Sequence, residues 1–151
     1  MLREAITERM KTALRAKDTR TLSTVRLIMA ALKDRDIAAR GTANPGEIAD
    51  AEILRMLQGM IKQRRDSIAL YEQGGRPELA EKERGEIAII ERFLPKQLSD
   101  AELEQVVKDT IAAVGAQGMK DMGRTMAALK ERFAGQIDNA KSSQVVKRLL
   151  A

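Results

Sequence analysis

The stretch that decides the fold is Glu-Arg-Phe-Leu-Pro-Lys-Gln-Leu-Ser-Asp-Ala-Glu, residues 91–102. Pro95 has no backbone N–H and disfavours helical torsions at the residue before it, so an arriving helix is expected to stop here. A new helix is predicted four residues later, because Ser99 is placed as its N-cap and Glu102 as the other half of a capping box. The stretch therefore predicts a corner between two helical packages.

Apolar residues recur at helical spacing on both sides of this corner. Before it, the pattern predicts four helices: residues 2–17, residues 21–39, Pro45 or Asp50 to Glu72, and Pro77 to the corner. The earlier start of the third helix would use Asn44 as its cap. After the corner, three shorter helices are predicted: Ser99 to Val114, residues 121–133, and Asp138 or Asn139 to the end. With no strand candidate, the predicted fold is all-α: an N-terminal antiparallel helical bundle (residues 1–96) and a small three-helix C-terminal module (residues 97–151).

The composition excludes several kinds of chemistry. The chain has 151 residues with no Cys and no His, which excludes disulfides, thiolate nucleophiles, imidazole bases and Cys/His zinc sites. The acidic residues show no clustered metal-ligand spacing, so we predict no metal and no cofactor. No apolar run approaches the roughly 20 residues of a membrane helix. The first residues already follow helical periodicity, unlike a signal peptide, and a cytoplasmic protein without a membrane partner is expected.

The charge is mildly positive. A net charge of +5 and a pI of about 9.7 are compatible with nucleic-acid binding, but they are too small to establish it. Aromatic residues make up 2% of the chain, which disfavours a protein that stacks single-stranded bases on aromatic side chains.

Several strings resemble the stand-alone YqeY members of the GatB/YqeY family. They are residues 62–67 (Lys-Gln-Arg-Arg-Asp-Ser), Tyr71-Glu72, residues 86–98, Met122-Gly123-Arg124 and Gln144-Val145-Val146. The most specific is Glu-Arg-Phe-Leu-Pro-Lys-Gln-Leu at residues 91–98, and the resemblance covers nearly the whole chain.

The resemblance implies a helical fold of two subdomains and tRNA or another structured RNA as partner. GatB is a subunit of the bacterial amidotransferase that converts glutamate or aspartate, mischarged on tRNA, to the amide, and its tail helps to hold the tRNA. The catalytic domain of GatB is absent from this chain, so the resemblance does not imply catalysis. Carbon–nitrogen ligase activity with glutamine as amide donor follows only from association with the family.

An independent amide-transfer enzyme would need a nucleophile with a base and a site for ATP. Ser142 and Ser143 beside Lys141 form the only conceivable Ser–Lys pair that we identify. Polar residues in a first helical turn are better explained as partners of free backbone N–H groups. The chain also has no Gly-rich phosphate loop, so no catalytic residue is predicted.

The RNA-binding hypothesis has more candidates. Five cations lie near turns and helix starts of the C-terminal module: Lys120, Arg124, Lys130, Lys141 and Lys147. Ser142 lies in the first turn of the last helix, where free N–H groups favour a phosphate, although a capping Asp138 would compete for them. Arg65 on the third helix is a further candidate. We hypothesise contact with the backbone of structured RNA by shape and charge, the alternative being a solvated basic face.

Two other features call for interpretation. Arg64 follows the apolar stripe of the third helix, so we predict that it is partly buried and paired with an acid of the fourth helix, such as Glu86 or Glu91. Met119 and Met122 flank a turn, and an exposed apolar patch there would favour an adaptor that docks on an amidotransferase or an aminoacyl-tRNA synthetase.

Overall fold

The computed structural model describes residues 1–41 and 46–151, and in these ranges it contains helices and no strand. The all-α prediction is therefore confirmed. The helices are α1 (Leu2–Arg15), α2 (Thr19–Ala39), α3 (Asp50–Gln73), α4 (Pro77–Glu91), α5 (Asp100–Val114), a 3₁₀ turn (Met119–Asp121), α6 (Met122–Arg132) and α7 (Asn139–Leu150). Of the two starts predicted for the third helix, the structure has Asp50; the predicted Asn44 cap and Pro45 lie outside the described residues.

The chain divides into two compact units, Met1–Leu94 and Pro95–Ala151. The sequence prediction drew its boundary between residues 96 and 97, on the C-terminal side of the same proline. Helix α4 ends at Glu91, before the proline. The backbone N–H groups of Phe93 and Leu94 still donate to the carbonyls of residues 90 and 91, both at 3.0 Å, so the last turn tightens before Pro95.

Helices α1 to α4 of the first unit share one apolar core. Its buried members come from all four helices and include Ile6, Val25, Ile28, Leu32, Ile53, Leu57, Ile61, Ile89 and Ile90. At the edge of this core, Arg64 on α3 meets Glu86 on α4, with 2.9 Å between Nε and Oε2. The predicted pairing of Arg64 with an acid of the fourth helix is confirmed, and it joins the two helices.

Arg3 on α1 forms hydrogen bonds both with α2 and with the segment that precedes α3. Its Nη1 donates to Asp36 Oδ2 at 2.7 Å, and its Nη2 donates to the Ile48 carbonyl at 3.2 Å. Asp36 Oδ1 accepts the Ile48 backbone N–H at 2.9 Å. The hydrogen bond from Arg3 is the main reason that the pKa of Asp36 lies below its usual value.

We expect Asp36→Asn to lower the free energy of unfolding by about 2 kcal/mol near neutral pH. Because folding depresses the pKa of Asp36, its carboxylate stabilises the fold above the unfolded-state pKa of about 4. That contribution is lost as the pH falls through the lower folded-state pKa. Urea denaturation near neutral pH and at about pH 3 should therefore show a gap between wild type and variant that narrows on acidification. A constant gap would contradict this account; Asp34→Asn, an exposed change on the same helix, is the control.

The second unit begins with the predicted capping box. The Ser99 hydroxyl accepts the Glu102 backbone N–H, and Glu102 accepts the Ser99 backbone N–H, both at 3.2 Å. This confirms the start of α5. The Leu98 backbone N–H donates to the Gln136 carbonyl at 2.9 Å, so the entry to α5 is tied to the turn before α7. Helices α5, α6 and α7 enclose a second core of Leu103, Val107, Leu129, Ile137, Val146 and Leu150.

Candidate nucleic-acid interface

The first turn of α7 is closed by its own side chains. Asp138 is the N-cap, and its Oδ1 accepts the Lys141 backbone N–H at 3.0 Å. Ser142 is fully buried, and its hydroxyl donates to the Asp138 carbonyl at 2.7 Å. A phosphate contact by Ser142 stays a prediction, and it would require this buried hydrogen bond to be replaced.

Two cations of α7 face carboxylates of α5. Lys141 Nζ lies 3.6 Å from Asp100 Oδ1, and Arg148 Nη2 lies 2.9 Å from Glu104 Oε1. Asp100 and Glu104 are four residues apart and therefore share one face of α5. Lys141 and Arg148 are seven residues apart and share one face of α7, so the two faces can pair their charges. The hydrogen bond from Arg148 is the main reason that the pKa of Glu104 is lowered. Lys141 therefore lies on a face whose charge is partly neutralised.

Arg124 is engaged within the second unit. Its Nη1 donates to the Val114 carbonyl, the last of α5, at 2.6 Å, and its Nη2 lies 3.2 Å from Asp121 Oδ1. Asp121 Oδ2 accepts the Gln117 backbone N–H at 2.9 Å. That bond, supported by the charges of Arg124 and Lys120, lowers the pKa of Asp121. Arg124 thus joins the end of α5 to the 3₁₀ turn, and its replacement is expected to affect stability as well as any RNA contact.

The remaining cations of α6 and α7 are available to a ligand. Lys130, Arg132 and Lys147 are exposed, and none forms an ion pair with a residue that the structure describes. Lys120, on the 3₁₀ turn, is also exposed. Arg132 was not among the sequence candidates; its place beside Lys130 in the last turn of α6 is the signal that could have indicated it.

Arg65 lies on α3 in the first unit. It is 56% exposed, and its Nη2 lies 3.8 Å from Glu91 Oε1. The neighbouring Arg64 is only 12% exposed because it points toward α4. Adjacent arginines on one helix therefore have different roles, one in packing and one at the surface.

Met119 and Met122, the two apolar candidates for an adaptor surface, differ in how much of each side chain is exposed. Met119 is 47% exposed on the 3₁₀ turn. Met122, at the start of α6, is half-buried against the core of the second unit. Only Met119 presents substantial apolar surface at this turn.

The conceivable Ser–Lys pair has other partners in the structure. Ser142 donates to a backbone carbonyl, and Lys141 faces Asp100. Among the residues placed by the structure, no group of three His, Cys, Asp or Glu residues could hold a metal ion. Across the same ranges, no helix is both long enough and apolar enough to cross a membrane.

Comparison with curated proteins finds relatives in fungi. The chain is 28% identical over 131 residues to "Altered inheritance of mitochondria protein 41, mitochondrial" of Saccharomyces cerevisiae, covering 85% of this chain and 66% of that protein. The protein of the same name from Vanderwaltozyma polyspora is 28% identical over 120 residues, covering 75% of this chain and 62% of its own length. The protein of the same name from Pyrenophora tritici-repentis is 27% identical over 129 residues, covering 82% of this chain and 68% of that protein. The chain thus spans about two thirds of the length of these relatives.

The family comparison covers almost the complete chain. The model described as "Yqey-like protein" matches residues 3–150, which include all of the helices except the first residue of α1. The resemblance inferred from the strings at residues 62–67 and 86–98 is confirmed by this match. The chain belongs to the YqeY family.

Proposed function

We propose that this protein binds structured RNA, with tRNA as the first candidate, and that it has no catalytic role of its own. The observation that carries the proposal is the exposed and unpaired state of Lys130, Arg132 and Lys147 on α6 and α7. Unpaired surface cations can release the counterions of a phosphate backbone without first breaking an ion pair within the protein. The likeness to the tRNA-holding tail of GatB supports RNA as the polyanion.

The second unit supports recognition by charge and shape. Its only aromatic residue, Phe133, is half-buried against the core, so base stacking has no exposed platform there. Lysine and arginine contacts to phosphates position a protein on RNA without reading its sequence. We therefore expect preference for a folded RNA over duplex DNA and little dependence on base sequence.

The test replaces Lys120, Lys130 and Lys147 by Gln. Each lost phosphate contact should reduce the slope of log K against log salt by about 0.7 to 0.9, so the triple variant should lose roughly two units of slope. Binding of fluorescent unmodified tRNA, measured by anisotropy at about 50 and 150 mM salt, checks this expectation. Arg124 and Ser142 are left intact, because their contacts within the fold would confound a loss of binding with a loss of stability.

A matched control changes the same charge elsewhere. Lys17, Lys33 and Lys82 are exposed lysines of the first unit without an ion pair among the described residues. Their triple replacement by Gln should leave the salt slope nearly unchanged. Two results would contradict the proposed site: an equal loss of salt slope in both triple variants, or equal affinity of the wild type for tRNA and duplex DNA. Either would mean that binding depends only on the overall positive charge.

The alternative is an adaptor that docks on an amidotransferase or an aminoacyl-tRNA synthetase, and exposed Met119 is the observation that favours it. If the wild type binds no RNA at either salt concentration, a pull-down with Met119→Ser as the comparison is the next experiment. Glutamine-dependent carbon–nitrogen ligase activity has no support beyond association with the family. The cytoplasmic location stays a prediction, since the fungal relatives are named as mitochondrial proteins.

A further inference from the structure

A groove of about 430 Å³ lies between α2 and α3 of the first unit. Its walls are Ala31 and Arg35 on α2 and, on α3, residues from Met56 to Asp66. Between these two ends α3 advances roughly 15 Å, at about 1.5 Å per residue. The groove is therefore about three helical turns long.

The floor of the groove is apolar. Met56 is buried, and Met60 and Ala31 are half-buried against the core of the first unit. Leu27 lies one helical turn before Ala31 on the same side of α2, and its side chain is exposed. It therefore extends the apolar surface beyond the floor. Methionine side chains adjust to the shape of a partner, so this surface suits the apolar face of another helix.

Gly59 leaves the α3 wall of the groove open. It lies in the interior of the helix, where glycine is less favourable than alanine because it loses more conformational freedom on folding. The packing of the first unit does not require it, since a Cβ at this position would meet no described neighbour within 4 Å. The missing side chain instead lets an incoming group approach the backbone of α3. This glycine favours a binding role for the groove over an ordinary seam between two helices.

The charge at the groove is positive. Lys62 and Asp66 form an ion pair at 3.6 Å, whereas Arg35 forms neither an ion pair nor a side-chain hydrogen bond within residues 1–41 and 46–151. A carboxylate would give the Arg35 guanidinium a bidentate partner. A second copy of the chain would bring a further net charge of +5, so charge complementarity favours an acidic partner instead.

We propose that this groove receives an amphipathic α-helix of a partner protein, with apolar side chains against Met56 and Met60 and a carboxylate beside Arg35. The ridges of a third helix can enter the groove between two others, and a segment of about three turns matches the length available. The helix comes closest to α3 at Gly59, where no side chain intervenes. The groove belongs to the first unit, so this inference does not rest on RNA binding by the lysines of the second unit.

The methyl groups of Met56 and Met60, labelled with ¹³C and followed by NMR, report directly on the groove. The probe is a designed peptide of about 18 residues, long enough to form a helix, with Leu at helical spacing and Glu at the flanking positions. A second peptide carries Lys in place of every Glu. The acidic peptide should shift both methyl resonances saturably, and the basic peptide should bind at least about tenfold more weakly.

Two pairs of variants separate binding from folding. Gly59→Gln fills the groove, so it should weaken binding of the acidic peptide about tenfold or more, yet raise the melting temperature because Gln favours a helix over Gly. Ala88→Gln, at an exposed position of α4, should leave binding unchanged. Arg35→Gln should weaken binding about fivefold or more. Arg26→Gln, nine residues earlier and therefore on the opposite side of α2, should change it little.

The absence of a methyl shift with the acidic peptide would overturn the proposal, as would equal affinity for the acidic and basic peptides. Equal weakening by Gly59→Gln and Ala88→Gln, or by the two arginine variants, would also overturn it. Shifts that grow with protein concentration alone would assign the groove to a second copy of the chain, and shifts with tRNA alone would assign it to a nucleic acid. Either of these results would replace the acidic helix as the occupant.

Discussion

Replacing Arg64 by Met should lower the free energy of unfolding of the first unit by about 3 kcal/mol. The change removes the charge that lies 2.9 Å from Glu86, whose side chain is only 15% exposed. Glu83, 20% exposed, lies at 4.0 Å from the same nitrogen and would lose this ion pair too. The cost arises from carboxylates left between α3 and α4 without a partner, and urea denaturation would measure it.

Two further variants distinguish this pair from an ordinary surface ion pair. Lys62→Met, on the same helix, breaks an exposed pair with Asp66 at 3.6 Å and should cost at most about 0.5 kcal/mol. Arg64→Met/Glu86→Leu removes both charges and should recover much of the stability lost in the single variant. If Arg64→Met proves as mild as Lys62→Met, the pair does not hold α3 to α4.

Leu129→Ala should destabilise the second unit by about 3 kcal/mol. Leu129 lies on α6, is fully buried, and belongs to the core shared with α5 and α7. A unit of this size buries a small core, so such a loss should leave a large part of the population with this unit unfolded. Hydrogen exchange of the backbone amides of Val107 and Val146 should show the loss of protection.

Met119→Ala is the matched control for Leu129→Ala. Met119 lies in the same unit but is 47% exposed, so its truncation removes little buried surface and should leave the exchange rates nearly unchanged. Unchanged protection in Leu129→Ala would mean that the core of the second unit tolerates the cavity. Loss of protection in both variants would point to a role of Met119 in the fold.

The helix starts show how much local sequence can predict. The Ser99–Glu102 capping box and the Asp138 cap depend on residues three or four apart, and the structure has both. The prediction of where α4 ends was less accurate. The apolar pattern carried that helix to Pro95, whereas the helix stops at Glu91. Pro95 has no N–H to donate to the carbonyl four residues earlier, that of Glu91, and it disfavours helical torsions at the residue before it.

The pairing of Arg64 was predictable for a similar reason. Its position on the apolar stripe of α3 indicated burial, and a buried guanidinium needs a charged partner, so an acid of the fourth helix such as Glu86 or Glu91 was predicted. The structure has Glu86 beside Arg64 and Glu91 beside Arg65. Periodicity and charge thus predicted the partner helix, and the tertiary structure decided which acid of that helix pairs with Arg64.

The sequence by itself determined the all-α class, the boundary at Pro95, the caps and the family, because these depend on neighbouring residues and short strings. Only the tertiary structure decided which cations are available to a ligand. Lys141 lies beside Asp100 of α5, and Arg124 donates to the Val114 carbonyl at the end of α5. Lys130 and Lys147 have no such partner among the described residues. Long-range packing sets the distances between such charges, and spacing along the chain does not encode them.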